Sequence, residues 1–192
     1  IMSTIAPFRA LRPVPELAAQ VASRPYDVLN SEEARIEAGS NASSFLHVTK
    51  SEIDLPAGTD IHSAAVYAKA KANLEAFISN GTLQTEEKPC YYIYRLIMNG
   101  REQTGLVAVS SVEDYFGDKI KKHEFTRPEK EKDRIDHMQT IRAQTGNVFL
   151  AYRDVMEVNA LINGWKATRQ PVYDFKAEDG IQHTIWVIDR DD

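Results

Sequence analysis

The chain has 192 residues and 21.7 kDa, enough for a buried core without disulfides or structural metal. At 43% hydrophobic and 27% charged it has the composition of an ordinary globular protein, not a disordered one, and no apolar run is long enough to span a bilayer. A net charge of -5 disfavours non-specific nucleic-acid binding, though it leaves room for a local basic patch.

Ile1 stands ahead of Met2 and reads as an added residue. The start lacks an apolar stretch of signal-peptide length, and Cys90 is the only thiol. An internal disulfide and a multi-cysteine zinc site are thereby excluded, and a cytoplasmic location is expected. Residues 4–8 are expected to form a short strand, with Pro7 favouring a sheet edge. Glu16–Ala22 is expected to be helical with Pro15 in its first turn, and Ser23–Val28 extended or turned. Asn30 as N-cap with Glu33 at the third position predicts a helix over Ser31–Ala38. Ser44–Val48 reads as a strand.

Asp60 is expected to cap a long helix, Ile61–Asn80, closed by Gly81, with Leu74, Phe77 and Ile78 on its apolar face. The strongest strand signal is Cys90–Met98. Asn99-Gly100 predicts a tight hairpin turn into a returning strand at Thr104–Ser110. Both faces of the first strand are largely apolar, as in a strand covered on two sides. A short helix is expected at Ser111–Phe116, a link or strand at Ile120–Thr126, and a helix at Pro128–Gln144 ended near Gly146. Asn147–Tyr152 reads as a strand, Asp154–Thr168 as a helix interrupted at Gly164, and Val172–Phe175 and Ile181–Ile188 as strands. The alternation predicts an α+β fold with a mixed sheet, a central β-hairpin and packed helices. A single domain over 1–192 is expected, with a subdivision near 80–89 as the weaker reading.

Chemistry concentrates in Asp118–Arg134, where seven basic and five acidic side chains fall among 17 residues. A nucleic-acid stripe would be more one-sided. A solvated segment with charges paired at helical spacing is the simplest reading. At 100° per residue, however, Ile135, Met138 and Ile141 define an apolar stripe, and Arg127 and Arg134 fall within about 40° of it. Inward-facing guanidinium groups need anionic partners. Glu124 or Asp133 would make a structural network; a phosphate or carboxylate ligand would use the arginine fork. Lys130 and the helix N-terminus add positive potential. His123 or Glu124 could serve as a general base. His123-Glu124 is not a zinc-protease motif, because the required second histidine is Arg127. His47, His62, His137 and His183 lack ligand spacing and fit surface or packing roles. No metal ligands are assigned.

Several segments in order resemble a known family: Ile5-Ala-Pro-Phe-Arg-Ala-Leu-Arg-Pro13, Arg24-Pro-Tyr-Asp-Val28, Ser44-Phe-Leu-His-Val48, Tyr92-Ile-Tyr-Arg95, Thr104-Gly-Leu-Val107 and Lys122-His-Glu-Phe-Thr-Arg127, with Lys130, Asp133 and Arg134. Together they are similar to the amino-terminal part of the bacterial and archaeal domain of unknown function 1015. Arg24-Pro25 departs from the Pro-Pro common in relatives. Members generally continue into an Asp-Gly-His-His-Arg motif resembling ParB-like free-serine kinases. This chain lacks it, and is expected to be truncated or one part of a split protein.

The resemblance implies phosphate chemistry on a small molecule, such as phosphoserine dephosphorylation or phosphotransfer in serine biosynthesis. Arg127, Lys130 and Arg134 would then bind substrate and Glu124 or His123 would carry protons, with Thr126 and Asp133 in support. Magnesium, with Glu124 as a ligand, and ADP or ATP are the cofactors this implies. A non-catalytic ligand-binding or protein-interaction module is the alternative, and a ParB-like nucleic-acid-associated role comes third.

Overall fold

The computed structural model describes residues 3–123 and 125–189. Its helices are α1 (Ala18–Val21), α2 (Ser31–Ala38), α3 (Leu46–Thr49), α4 (Ala64–Ser79), α5 (Val112–Phe116), α6 (Pro128–Ile141) and α7 (Met156–Thr168). Its strands are β1 (Ile5–Ala6), β2 (Leu11–Pro13), β3 (Leu83–Thr85), β4 (Tyr91–Met98), β5 (Arg101–Val107), β6 (Val109–Ser110), β7 (Tyr173–Lys176) and β8 (Gln182–Ile188). The class is α+β. Among the described residues, none of the helices is long and apolar enough to cross a membrane. The chain divides into two units, one of residues 1–15, 85–123 and 150–192, the other of residues 16–84 and 124–149.

The first unit is organised by the hairpin β4–β5. Asn99 (φ 52°) and Gly100 (φ 77°) both take positive φ, as a two-residue turn matched to strand twist requires. The register follows from the turn: Met98 faces Arg101 and Tyr92 faces Val107. β8 joins the other edge of β4 and β7 adds outside it, giving the order β5-β4-β8-β7. The sheet expected to be mixed is antiparallel at each of these pairings. Tyr92 and Ile93, on opposite faces of β4, are both buried, so the strand is covered on two sides. α7 packs Ile162 against Ile93 and Trp186. It begins at Met156, two residues later than expected, and runs through Gly164 without a break. Gly100→Val forces a branched side chain into the left-handed region. It is expected to cost about 1–2 kcal/mol in a denaturant titration, and an unchanged midpoint would contradict the turn.

The second unit is helical. At α2 the predicted capping box is complete: Asn30 Oδ1 accepts from Glu33 N at 2.9 Å, and Glu33 Oε2 accepts from Asn30 N at 2.8 Å. Leu29, Ala34, Ala38, Leu46 and Ile53 form one core cluster. Arg35 ties α2 to the following 3₁₀ turn (Ser51–Asp54) by donating to the carbonyls of Glu52 and Leu55, each at 2.9 Å, and of Ile53.

Several expectations are corrected. Ser44–Val48 is not a strand: its second half enters α3, with Leu46 and Val48 fully buried. A five-residue segment whose apolar members are Phe45, Leu46 and Val48 fits either period, and packing decides. α4 starts at Ala64, because Asp60 Oδ1 accepts the His62 N–H at 3.0 Å in a local turn instead of capping the helix. Gly81 (φ 80°) follows the helix end as predicted, but Ile78 is exposed. α6 stops at Ile141, where Arg142 takes a left-handed conformation and donates to Met138 O at 2.8 Å. Residues 147–152 form no strand, and Val148, Phe149 and Tyr152 are exposed.

Candidate functional site

Within the helical unit, α6 carries most of the residues singled out from the sequence. Pro128 opens it at the first helical position, and Arg127 precedes it with β-region dihedrals and no side-chain cap. The buried face of α6 is centred on His137 and Ile141, while Ile135 and Met138 are more exposed. The predicted stripe was therefore rotated, yet Arg134 still points inward, being one turn from the buried His137 and itself partly shielded. Arg127 does not, since it lies outside the helix and helical spacing does not apply to it.

Asp133 is the hub. Its Oδ1 accepts from Tyr67 Oη at 2.7 Å and from His62 Nδ1 at 2.9 Å. Its Oδ2 accepts from Arg134 Nε at 3.0 Å and Nη2 at 2.6 Å. Burial works to raise the Asp133 pKa, but the hydrogen bonds from Tyr67, Arg134 and His62 prevail and hold it below the ordinary value. Asp133 is thus a carboxylate at neutral pH. Tyr67 is pushed well up, by burial first and then by its bond to Asp133, so it remains a donor. The guanidinium of Arg134 also lies 4.0 Å from the centre of the Tyr26 ring, a cation–π contact. Its Nη1 has no hydrogen-bond partner among the described residues, leaving one edge of the fork for another anion.

Because Asp133 is ionised, it accepts from His62 Nδ1–H and fixes the orientation of the ring, with Nε2 on the far side. This is the arrangement in which a carboxylate orients an imidazole for proton transfer. His62, Tyr67, Asp136 and Thr140 line an open depression. His137 plays a different part. It is buried, donates Nε2–H to Val48 O at 3.0 Å and keeps a buried Nδ1 without a partner. Burial lowers its pKa, so the folded state holds it neutral while the unfolded chain titrates near 6.5. Below that value the unfolded state binds the extra proton and the native state loses stability. The unfolding midpoint is expected to fall as pH drops below about 6.5, and to fall less in His137→Gln. Equal slopes in the two proteins would contradict the neutral buried ring.

The other predicted residues are more dispersed. Lys130 is exposed, and Thr126 donates to Glu131 Oε2 at 2.8 Å. His123 is exposed and falls in the sheet unit; Glu124 lies outside the described residues. Among the described residues, no group of three or more His, Cys, Asp or Glu side chains is placed to hold a metal ion.

The family model described as Protein of unknown function (DUF1015) matches residues 5–192. The chain belongs to the DUF1015 family. No curated protein and no solved structure matches it. Membership in DUF1015 carries no activity, so the chemistry rests on the residues. His62 and Tyr67 are the residues that sequence reasoning missed. They come from the approach to α4 and from its first turn, more than sixty positions from Asp133, and no local pattern links them. The available signal was indirect: an inward Asp133-Arg134 pair on a mostly polar helix requires a polar partner on whatever helix faces it.

Proposed function

We propose that this DUF1015 chain serves phosphate chemistry on a small molecule, with phosphoserine as the candidate substrate and the cytoplasm as its setting. The observation that carries the proposal is the group of cations at the start of α6 and along it. Arg127 precedes α6, Lys130 and Arg134 stand four residues apart on it, and neither Arg127 nor Lys130 forms a salt bridge with a carboxylate among the described residues. Like charges at this spacing repel, and an anion seated between them relieves the repulsion. The free N–H groups of the first helical turn add donors to the same place. Arg134 contributes the unused Nη1 edge of a guanidinium whose orientation Asp133 has already fixed, which suits a tetrahedral phosphate. His62, oriented by the same carboxylate, serves as the proton carrier within the helical unit.

Incubation with phosphoserine and magnesium, with and without ADP, tests this, with phosphate, serine and ATP measured as products. Free phosphate with serine signifies hydrolysis; serine with ATP signifies transfer. His62→Asn and Arg134→Lys are each expected to lower product formation at least about tenfold with folding intact. Saturable phosphoserine binding with no product would instead support the non-catalytic ligand-binding module. Neither binding nor product would contradict the substrate class.

A further inference from the structure

We propose that the sheet unit holds a second small-molecule site, one that binds the α-carboxylate and α-ammonium of an amino acid. The site lies on the face of the sheet that α7 covers in part. α7 occupies the end with Ile93 and Trp186. Toward the Asn99-Gly100 turn the same face is open, and a depression there is lined by Arg95, Asp174, Lys176 and Gln182.

Strand register places these groups in two rows. Arg95 on β4 faces Thr184 on β8, which faces Asp174 on β7. One pleat further on, Ile97 faces Gln182, which faces Lys176. The arrangement is unusual in that a cation and an anion are kept apart by a buried hydroxyl. Thr184, only 1% exposed, accepts from Arg95 Nη2 at 3.1 Å and donates to Asp174 Oδ1 at 2.9 Å. Gln182 Nε2 also donates to Asp174 Oδ1, at 2.7 Å, so Asp174 Oδ2 is left without a partner among the described residues.

Arg95 is less well satisfied. Its guanidinium sits 5.1 Å from the Trp186 ring centre, its Nε is buried with no partner, and no carboxylate among the described residues forms an ion pair with it. Glu102 on β5 acts on Arg95 only at longer range and is itself held by Lys166, so a carboxylate supplied from outside would give the partly buried guanidinium the direct partner it lacks. Lys176, whose stem passes near Gly180, adds a second positive charge to the same depression. The ligand's carboxylate takes the free edge of Arg95, with Lys176 beside it, and its ammonium takes Asp174 Oδ2. A plain carboxylic acid would satisfy the first and leave Asp174 unmatched; an amine alone would do the reverse. The inference involves none of the α6 residues, so it stands or falls separately from the phosphate reading.

The test is nuclear magnetic resonance of the full chain, titrated singly with each common amino acid at millimolar concentration. At least one is expected to shift the amides of Arg95, Asp174, Lys176 and Thr184 saturably. The matching acid without its amino group is expected to bind about tenfold more weakly. Asp174→Asn should erase that preference, and Arg95→Lys should weaken binding of the amino acid while leaving the amide spectrum folded. If Arg95→Lys perturbs the fold, Lys176→Met, an exposed change, should still weaken binding. The proposal is overturned if no amino acid shifts these amides, if the deaminated acid binds equally well, or if folded variants bind as the parent does.

Discussion

Asp133→Ala is expected to destabilise the helical unit by about 2–4 kcal/mol. It strips one acceptor from three donors at once and leaves the partly buried Arg134 without its counter-charge. The hydroxyl of Tyr67, itself buried, would also lose its partner. Denaturant titration at neutral pH measures the loss. The exposed pair Lys132–Asp136 supplies the contrast, since Lys132→Ala should change stability by less than about 0.5 kcal/mol. The Asp133→Ala deficit should also depend on pH. The folded-state pKa of Asp133 is depressed, so its contribution is present above the unfolded value of 3.8 and lost as pH falls through the folded value. The difference between parent and variant must therefore shrink in acid. A deficit below about 1 kcal/mol at neutral pH would reduce Asp133 to a surface carboxylate.

Ile93→Ala carries the second large effect, in the sheet unit. Ile93 has no exposed surface and packs between β4, β8 and α7 against Trp186 and Ile162. Removing its outer carbons leaves a cavity that a sheet fixed on both sides of β4 is poorly able to close. The expected loss is about 2–5 kcal/mol. Leu161 lies on the same helix as Ile162 but is 75% exposed, and Leu161→Ala should cost under about 0.5 kcal/mol. Similar losses at the two positions would contradict the packing of α7 on the sheet.

Local signals in the sequence were read correctly where one residue type does one physical job. Asn30 and Glu33 form the reciprocal cap because each satisfies the other's backbone donor. Asn99-Gly100 sets the β4–β5 register because both positions tolerate positive φ. Arg134 was expected to face inward toward a carboxylate or a pocket, because helical spacing ties it to a buried side of α6; the partner it finds is Asp133. Reading failed where the burial pattern depends on distant partners. The buried face of α6 is marked by His137, a polar residue whose bond to Val48 O spans 89 positions, while the apolar Ile135 and Met138 face outward. Residues 44–48 and 147–152 share the look of short strands, but a strand requires a pairing partner, and neither segment is paired among the described residues. His62 showed no ligand spacing; its role comes from Asp133, which only folding brings to it.

The most direct test of the central claim is a titration of the isotope-labelled chain with phosphoserine, followed at the first turn of α6. Glu129, Lys130 and Glu131 have backbone N–H groups there, and the side-chain Nε–H of Arg134 reports on the fork. The account predicts saturable shifts at these four groups, with affinity reduced about tenfold in the Arg127→Met/Lys130→Met double variant. Shifts confined to Arg95, Asp174 and Lys176, or an undiminished response at α6 in the double variant, would contradict it.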